Sequence, residues 1–474
     1  MKNLKKKLHV IGICGKGTSA VALLMRQKGW EITGSDNTMY EPIASYLKKQ
    51  NLSCMSPCRA ENIPEGVDMV LMGSSAALDQ KSNSEIQKAL SLKNIPIKSF
   101  AEILGDLTKD THNIVVTGSY GKSSISGLLS YALESQGISP SYFIGAVPIG
   151  MKDSAHIGNS KYFILEGDEY PHDIDSLESK FLFYNPHTVL LTSGEHDHIN
   201  KFPTIESYTN TYKKLLAKLP KSEGLVVCAI NNPYVKEIVQ ESHSTVVSYG
   251  FENADYTAEN ISYGMTSCFN VMYRIKNIGR FETSLLGKHN IENCLGVIAI
   301  CLEKKILDVL QLQESLKNFK GIVSRLDKKS ELTKIPIYEG FGSSYTKAKT
   351  ALEALLLHFP DKKIITIFEP HTFGWRNKNN LHWYSDVFSG SHEVLVYQPP
   401  IHGANSHEQI TQSEIIDTLH KNNQPAYPIT SENETFKYLK NILNTDCIIL
   451  LLTSGDLDGM TENIPKFCES IFPI

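Results

Sequence analysis

Short apolar runs alternate with amphipathic stretches along most of the chain, and this pattern predicts repeated strand–helix units. Leu8–Ile13 is apolar and short enough for a buried strand. Gly-rich residues follow, then a helical stretch around Ala20–Gly29. Glu31–Gly34 predicts the next strand, ending at Ser35-Asp36, and Val67–Met72 another, ending at Gly73-Ser74-Ser75. Strands that alternate with helices imply a parallel sheet with crossover helices. Ligands of such sheets bind at the carboxyl ends of the strands, where these glycines and Asp36 fall.

A second segment opens with the strand Asn113–Thr117. The helix after it places Ile125, Leu128, Leu129, Ala132 and Leu133 on one face, with Gly137 as its stop. Tyr162–Glu166 and Thr188–Thr192 predict further strands, and Tyr256–Leu286 reads as a less regular β region. The third segment predicts strands at Pro336–Phe341, Lys363–Phe368, Glu393–Tyr397 and Cys447–Thr453, with a helix Thr346–Phe359 between the first two. The expected fold class is α/β in three domains, divided at 1–106, 107–325 and 326–474.

The 474 residues, 41% hydrophobic and 21% charged, agree with several soluble domains rather than one core. A net charge of −4 gives no basic surplus for nucleic acid or an anionic membrane. The basic N-terminus precedes an apolar run that glycine breaks and that is too short to span a bilayer, so it reads as a strand and not a signal peptide. Nine scattered cysteines, with only Cys54 and Cys58 close in sequence, read as free thiols of a cytoplasmic protein.

The strongest local signal is Gly118-Ser119-Tyr120-Gly121-Lys122-Ser123-Ser124, which follows a predicted strand and opens a predicted helix. Glycines let backbone approach phosphate oxygens, and N–H groups at the helix start attract an anion. Lys122 supplies a cation for β- and γ-phosphates, and Ser123 a hydroxyl for Mg²⁺. Two acidic clusters, Glu166-Gly167-Asp168-Glu169 and Glu195-His196-Asp197-His198, follow strands and should share the loop's sheet edge. Their hard oxygens suit Mg²⁺. Zinc at His196 and His198 is a competing reading without a further Cys/His set to complete it, and solvated loop charge is the plain alternative.

These residues resemble the Mur ligase family, the ATP-dependent amide-forming enzymes of bacterial cell-wall precursor synthesis. The family's loop G-[TS]-x-G-K-[TS]-[TS] matches Gly118–Ser124, and its E-A-D-E matches Glu166–Glu169 closely. Its D-H matches Asp197-His198, and its G-x-H-N-x-x-N matches Gly287–Asn293. A reduced arginine element stands at Ser324-Arg325. The resemblance implies ATP and Mg²⁺ as cofactors, with Lys122, Glu166 and His198 catalytic and Ser123, Glu166 and His198 at the metal. It also implies that Gly118, Ser119, Tyr120, Gly121, Lys122, Ser123, Ser124, His289, Asn290, Asn293 and Arg325 bind ATP.

The N-terminus resembles the family branch that acts directly on UDP-N-acetylmuramate. Gly12-Ile13-Cys14-Gly15-Lys16-Gly17-Thr18-Ser19 and Gly34-Ser35-Asp36 carry that likeness, with Cys14 in place of a glycine. The branch implies UDP-sugar contacts at Gly12, Gly15, Gly17, Ser19, Ser35, Asp36 and Ser74. An NAD site is the alternative for a glycine pattern alone. Tyr40-Glu41-Pro42, Ile144–Pro148, Asp168-Glu169-Tyr170, Ser179-Lys180-Phe181 and Tyr184-Asn185-Pro186 look like the recycling members. Those join UDP-N-acetylmuramate to the tripeptide L-Ala-γ-D-Glu-meso-diaminopimelate through an acyl phosphate. That is the expected reaction.

The family's third domain opens with D-D-[YF]-A-H-H-P-T, whereas this chain has Glu339-Gly340-Phe341-Gly342-Ser343-Ser344-Tyr345-Thr346. One acid and both histidines are missing, Tyr120 replaces the loop histidine, and one arginine next to Arg325 is absent. These departures keep open L-alanine as the amine, another amine altogether, or a binding protein without turnover. Neither nucleic acid nor membrane is an expected partner, and the oligomeric state is left open.

Overall fold

The computed structural model describes residues 5–39, 43–73, 81–173, 176–196, 201–400 and 408–474. Its strands form three sheets in chain order. The first contains β1 (Lys7–Ile11), β2 (Glu31–Ser35), β3 (Ser53–Met55), β4 (Met69–Met72) and β5 (Ile97–Lys98), ordered β3-β2-β1-β4-β5 and parallel throughout.

The second sheet begins with β6 (His112–Thr117), β7 (Ser141–Phe143), β8 (Ala155–His156), β9 (Tyr162–Glu166) and β10 (Thr188–Leu191). It continues through β11 (Leu225–Ala229), β12 (Thr245–Gly250), β13 (Tyr256–Ser262), β14 (Ser267–Tyr273) and β15 (Lys276–Thr283). Their spatial order is β15-β14-β13-β12-β11-β10-β6-β9-β7-β8. The third sheet contains β16 (Arg325–Lys328), β17 (Ile337–Phe341), β18 (Lys363–Phe368), β19 (Glu393–Tyr397), β20 (Ala426–Ile429) and β21 (Cys447–Thr453). Its order is β16-β17-β21-β18-β19-β20, parallel except for the antiparallel edge strand β16.

The chain divides into two compact units, one of residues 1–259, 270–281 and 292–316, the other of 260–269, 282–291 and 317–474. In the first unit a single apolar cluster runs from Leu8 and Leu24 through Leu104 and Phe181 to Val226 and Val239. The N-terminal and central sheets therefore share buried surface within that unit. In the second unit, apolar clusters cover both faces of the third sheet, with Phe368, Trp375 and Leu450 in one and Ile367, Leu451 and Ile464 in the other.

Several expected elements shift by one to four residues, and one shift matters for the site. The first helix spans Lys16–Gln27 rather than starting near Ala20, so Gly17 and Ser19 lie within it. The first strand ends at Ile11 because Gly12 turns to φ +80. The helix after β6 runs Lys122–Ser135 and buries Ile125, Leu128, Leu129, Ala132 and Leu133 completely. Gly137 (φ +76) follows its end, where Ile138 N–H donates to Leu133 O. The irregular β region resolves into the three strands β13, β14 and β15.

Candidate functional site

The parallel pairings β6–β9 and β6–β10 put Val116 beside Glu166 and Thr117 beside Leu191. The loop after β6, the acidic segment after β9 and the Thr192–Glu195 segment after β10 thus emerge at one sheet edge. Gly118 (φ +128) and Gly121 (φ +80) shape the loop. A Cβ on Gly118 would lie 2.2 Å from Thr192 Oγ1, and one on Gly121 would lie 2.9 Å from Asn293 Oδ1. Tyr120 N–H donates to Ser193 Oγ at 3.1 Å, and the Tyr120 carbonyl accepts the Thr192 hydroxyl. Ser119 Oγ donates to Glu195 O at 2.5 Å and meets Tyr208 OH at 3.1 Å. Ser124 is partly exposed in the helix's first turn.

Lys122 Nζ donates to Gly118 O at 2.6 Å and to Glu169 Oε2 at 3.0 Å. Burial opposes its charge, but Glu169, Asp168 and Glu166 outweigh that and hold its pKa above the ordinary lysine value. Glu169 is fully buried and also accepts Tyr208 OH at 3.3 Å, and Tyr212 OH donates to Tyr208 OH at 2.9 Å. Asp168 is paired with Lys180 at 2.6 Å. Burial would raise the Asp168 pKa, yet Lys180 and the Tyr170 N–H pull it below the usual carboxylate range.

Glu166 Oε1 accepts the Ser123 hydroxyl at 3.1 Å, and Oε2 accepts Gly145 N–H at 2.8 Å. Adjacent ligands of an octahedral Mg²⁺, at about 2.1 Å from the ion, stand about 3.0 Å apart. The Ser123 and Glu166 oxygens therefore have both the chemistry and the spacing of two Mg²⁺ ligands. Among the described residues no group of three or more His, Cys, Asp or Glu could hold a metal. His196 Nε2 is 2.6 Å from Phe202 O, so that nitrogen carries a proton for the carbonyl, and the ring does not offer it to zinc. His198 and Ser74 lie outside the described residues, as do Asp197 and Tyr40-Glu41-Pro42.

At the end of β1, Gly12 and Ile13 N–H groups donate to Ser35 O at 2.8 and 3.0 Å. Cys14 N–H donates to Asp36 Oδ2 at 3.0 Å. The Thr18 hydroxyl closes the turn on Gly12 O (2.7 Å), and Ser19 Oγ bonds Lys16 O (3.1 Å). A Cβ on Gly15 would lie 2.8 Å from Thr18 Oγ1, and one on Gly17 would lie 2.9 Å from the Phe100 ring. Gly17 is thus required by packing within the protein itself. Ser35, the other residue of this pair of strand-end positions, has a different setting from Asp36. It is fully buried and its hydroxyl donates to Glu85 at 2.7 Å, so the side chain faces inward.

Comparison with known proteins bears on the whole chain. Residues 116–301 match the Mur ligase middle domain and residues 7–112 the Mur ligase family catalytic domain. The UDP-N-acetylmuramate–L-alanine ligase of Lactococcus lactis subsp. cremoris is 30% identical over 440 residues, 91% of each chain. This chain belongs to the Mur ligase family. Two solved structures share its fold. The UDP-N-acetylmuramate–alanine ligase of Thermotoga maritima aligns with TM-score 0.79 over 98% of this chain and 99% of its own, at 21% identity. The UDP-N-acetylmuramate:L-alanyl-γ-D-glutamyl-meso-diaminopimelate ligase of Neisseria meningitidis aligns with TM-score 0.60 over 67% and 99%, at 26% identity. The protein is therefore an ATP-dependent amide-forming ligase, and no helix of the described residues is long and apolar enough to cross a membrane.

The other residues expected at this ligase's nucleotide site have separate settings. Asn293 packs against Gly121 in the first unit. In the second unit His289 is exposed, while Asn290 is buried with Nδ2 on Leu286 O at 2.8 Å. The preceding Gly287 (φ +94) donates its N–H to His358 Nε2 at 2.9 Å, and His358 Nδ1 donates to Gly264 O at 2.6 Å. Arg325 opens β16 with its guanidinium 4.4 Å from the Phe341 ring centre.

Glu339, standing where the family has its first acid, is buried and accepts Ser324 Oγ at 2.5 Å and Lys329 Nζ at 2.6 Å. Trp375 Nε1–H donates to Gly342 O at 2.7 Å, and Lys347 Nζ to Ser343 Oγ at 3.0 Å, which fixes the altered loop. Sequence reasoning missed Glu369 and His371 at the end of β18. Buried Glu369 lies 3.3 Å from His371 Nδ1 and accepts the Thr453 hydroxyl. The signal was an acid and a histidine directly after a strand. It also missed Ser193, Tyr208 and Glu85, and it named Gly145 only within Ile144–Pro148, without its bond to Glu166.

Proposed function

We propose that this ligase uses ATP to join the carboxylate of UDP-N-acetylmuramate to the amino group of L-alanine. The supporting comparison is the 30% identity, over 91% of both chains, with a UDP-N-acetylmuramate–L-alanine ligase. The observation that carries the chemistry is the convergence of Lys122, Ser123 and Glu166 at the strand ends of β6 and β9. In this reading a carboxylate oxygen attacks the γ-phosphorus of ATP, ADP leaves, and an acyl phosphate forms. The amine nitrogen then attacks the acyl carbon, phosphate leaves, and the nitrogen loses a proton.

Phosphoryl transfer depends mainly on positioning and charge neutralisation. Lys122 turns from Gly118 O and Glu169 toward the phosphates, and the first turn of Lys122–Ser135 presents N–H groups to them. Ser123 and Glu166, with His198, would hold Mg²⁺, which would offset phosphate charge when bound. Gly12–Ser19 and Asp36 hold the UDP-sugar, and His289, Asn290, Asn293 and Arg325 remain proposed ATP contacts. The proposed division into domains is 1–106, 107–325 and 326–474.

The second reading is ligation of the tripeptide L-Ala-γ-D-Glu-meso-diaminopimelate. Its support is the 26% identity with the Neisseria meningitidis ligase of that name. ATP-dependent phosphate release with UDP-N-acetylmuramate and either amine, with product mass, tests both. Release with L-alanine alone establishes the first reading, and release with tripeptide alone replaces it with the second. No release with either, despite ATP binding, refutes both amines.

A further inference from the structure

The N-terminal sheet contains a fully buried acid that the chemistry above does not use. Glu85 and His9 are both 0% exposed. Glu85 lies in the helix Ser84–Ser91, which Asn83 caps through the N–H groups of Glu85 and Ile86. His9 is in the middle of β1. His9 Nε2 lies 2.6 Å from Glu85 Oε1, and His9 Nδ1 lies 2.7 Å from Thr33 Oγ1. Glu85 Oε2 accepts the Ser35 hydroxyl at 2.7 Å and the Arg59 N–H at 3.1 Å.

A buried carboxylate is tolerated only when donors surround it, and removing one partner of such a pair is strongly destabilising. Here the donors come from β1, from the end of β2 and from the segment before residues 60–62, so one side chain fixes all three. What hangs from them is the glycine loop. Ser35 O accepts the N–H groups of Gly12 and Ile13, and the next residue, Asp36, accepts Cys14 N–H. These bonds occupy the N–H groups of Gly12, Ile13 and Cys14 within the protein and leave those of the first turn of the helix Lys16–Gln27 for a ligand.

We infer that the His9–Glu85 pair is a positioning element for the nucleotide-sugar site: through Ser35 it sets where the Gly12–Ser19 loop presents its backbone to a diphosphate. The inference rests on the reading of that loop as the UDP-sugar loop. Both residues are fully buried, so they would act through the loop and not by contact with the ligand.

The test measures binding of UDP-N-acetylmuramate and of ATP to the full chain by calorimetry, together with steady-state rates. Glu85→Gln keeps the side-chain size but puts an amide where donors converge. The expected result is a rise of about 10-fold or more in the Kd and KM for UDP-N-acetylmuramate, with the Kd for ATP and kcat within about 2-fold of wild type. His9→Gln, which keeps an N–H near the place of Nε2, should recover most of the affinity that His9→Leu loses. Unchanged UDP-sugar affinity in Glu85→Gln, or equal losses for ATP and UDP-sugar, overturns the inference. If Glu85→Gln does not fold, Thr33→Val carries the test. A rise of about 3-fold in the UDP-sugar Kd supports the inference, and no change overturns it. Asp36→Ala separates the two layers. UDP-sugar affinity that survives Asp36→Ala refutes the loop reading. Affinity lost there but intact in Glu85→Gln refutes only the positioning role.

Discussion

Lys122 Nζ and Glu169 Oε2 stand 3.0 Å apart, and Glu169 is wholly buried. The lysine expected to meet phosphate is therefore already neutralised inside the protein. Glu169→Gln leaves that ammonium, only 17% exposed, with weaker compensation. The variant should lose about 1–3 kcal/mol of stability without nucleotide. Part of this should return on adding ATP and Mg²⁺, because phosphate replaces the lost anion. Thermal unfolding with and without nucleotide checks it. A nucleotide-induced gain no larger than in wild type contradicts the exchange of partners.

Glu166 has a different task, because its oxygens face Ser123 Oγ and Gly145 N–H rather than a fixed cation. Glu166→Ala should lower kcat by about 100-fold or more, while the Kd for UDP-N-acetylmuramate changes by less than about 2-fold. Phosphate release and calorimetry measure the two. A rate equal to wild type removes Glu166 from the metal site.

Asp327 pairs across the β16–β17 ladder with Glu339 and is 7% exposed, and its Oδ1 accepts no hydrogen bond from any described residue. Burial pushes its carboxyl up to about 6, Lys329 pulls the other way, and Glu339 adds to the rise. The native state thus binds this proton more tightly than the unfolded chain does. The group imposes no penalty below pH about 4, and stability falls as pH rises through about 6. Asp327→Asn should flatten this part of the profile and be more stable than wild type at pH 8 but not at pH 4. Denaturant titrations at the two pH values decide the sign.

Gly17 lies where a Cβ would come within 2.9 Å of the Phe100 ring. Gly17→Ala should destabilise the protein by about 1–3 kcal/mol through overpacking, and adding Phe100→Leu should recover part of that. If the two changes are additive in a double-mutant cycle, the contact is not what constrains the glycine.

Much of the fold was legible because parallel strands buried on both faces read as continuous apolar runs. Tyr162–Glu166, Lys363–Phe368, Glu393–Tyr397 and Cys447–Thr453 fall where the pattern puts them. The strands β16 and β20 at the edges of the third sheet were not legible, and neither were the interior strands β7, β11 and β12 of the second. β20 exposes Tyr427 and contains Pro428, and β16 carries Arg325, Asp327 and Lys328. At the candidate site the Gly118–Ser124 loop and Glu166 were visible as a motif after a strand. The bond from Ser35 to Glu85 was not visible, because the place of Ser35 beside Asp36 says nothing of a buried acid fifty residues later. Glu85, Tyr208 and Gly145 acquire meaning only when distant segments meet.

Strand β6 lies inside the second sheet, hydrogen-bonded to β10 on one side and β9 on the other. Interior strands with no exposed face are the last part of a fold to open. The candidate-site loops are thus rooted in a strand whose amides should exchange slowly with solvent. Thermal fraying at the sheet's margins can then proceed far before Lys122, Ser123 and Glu166 lose their mutual registration.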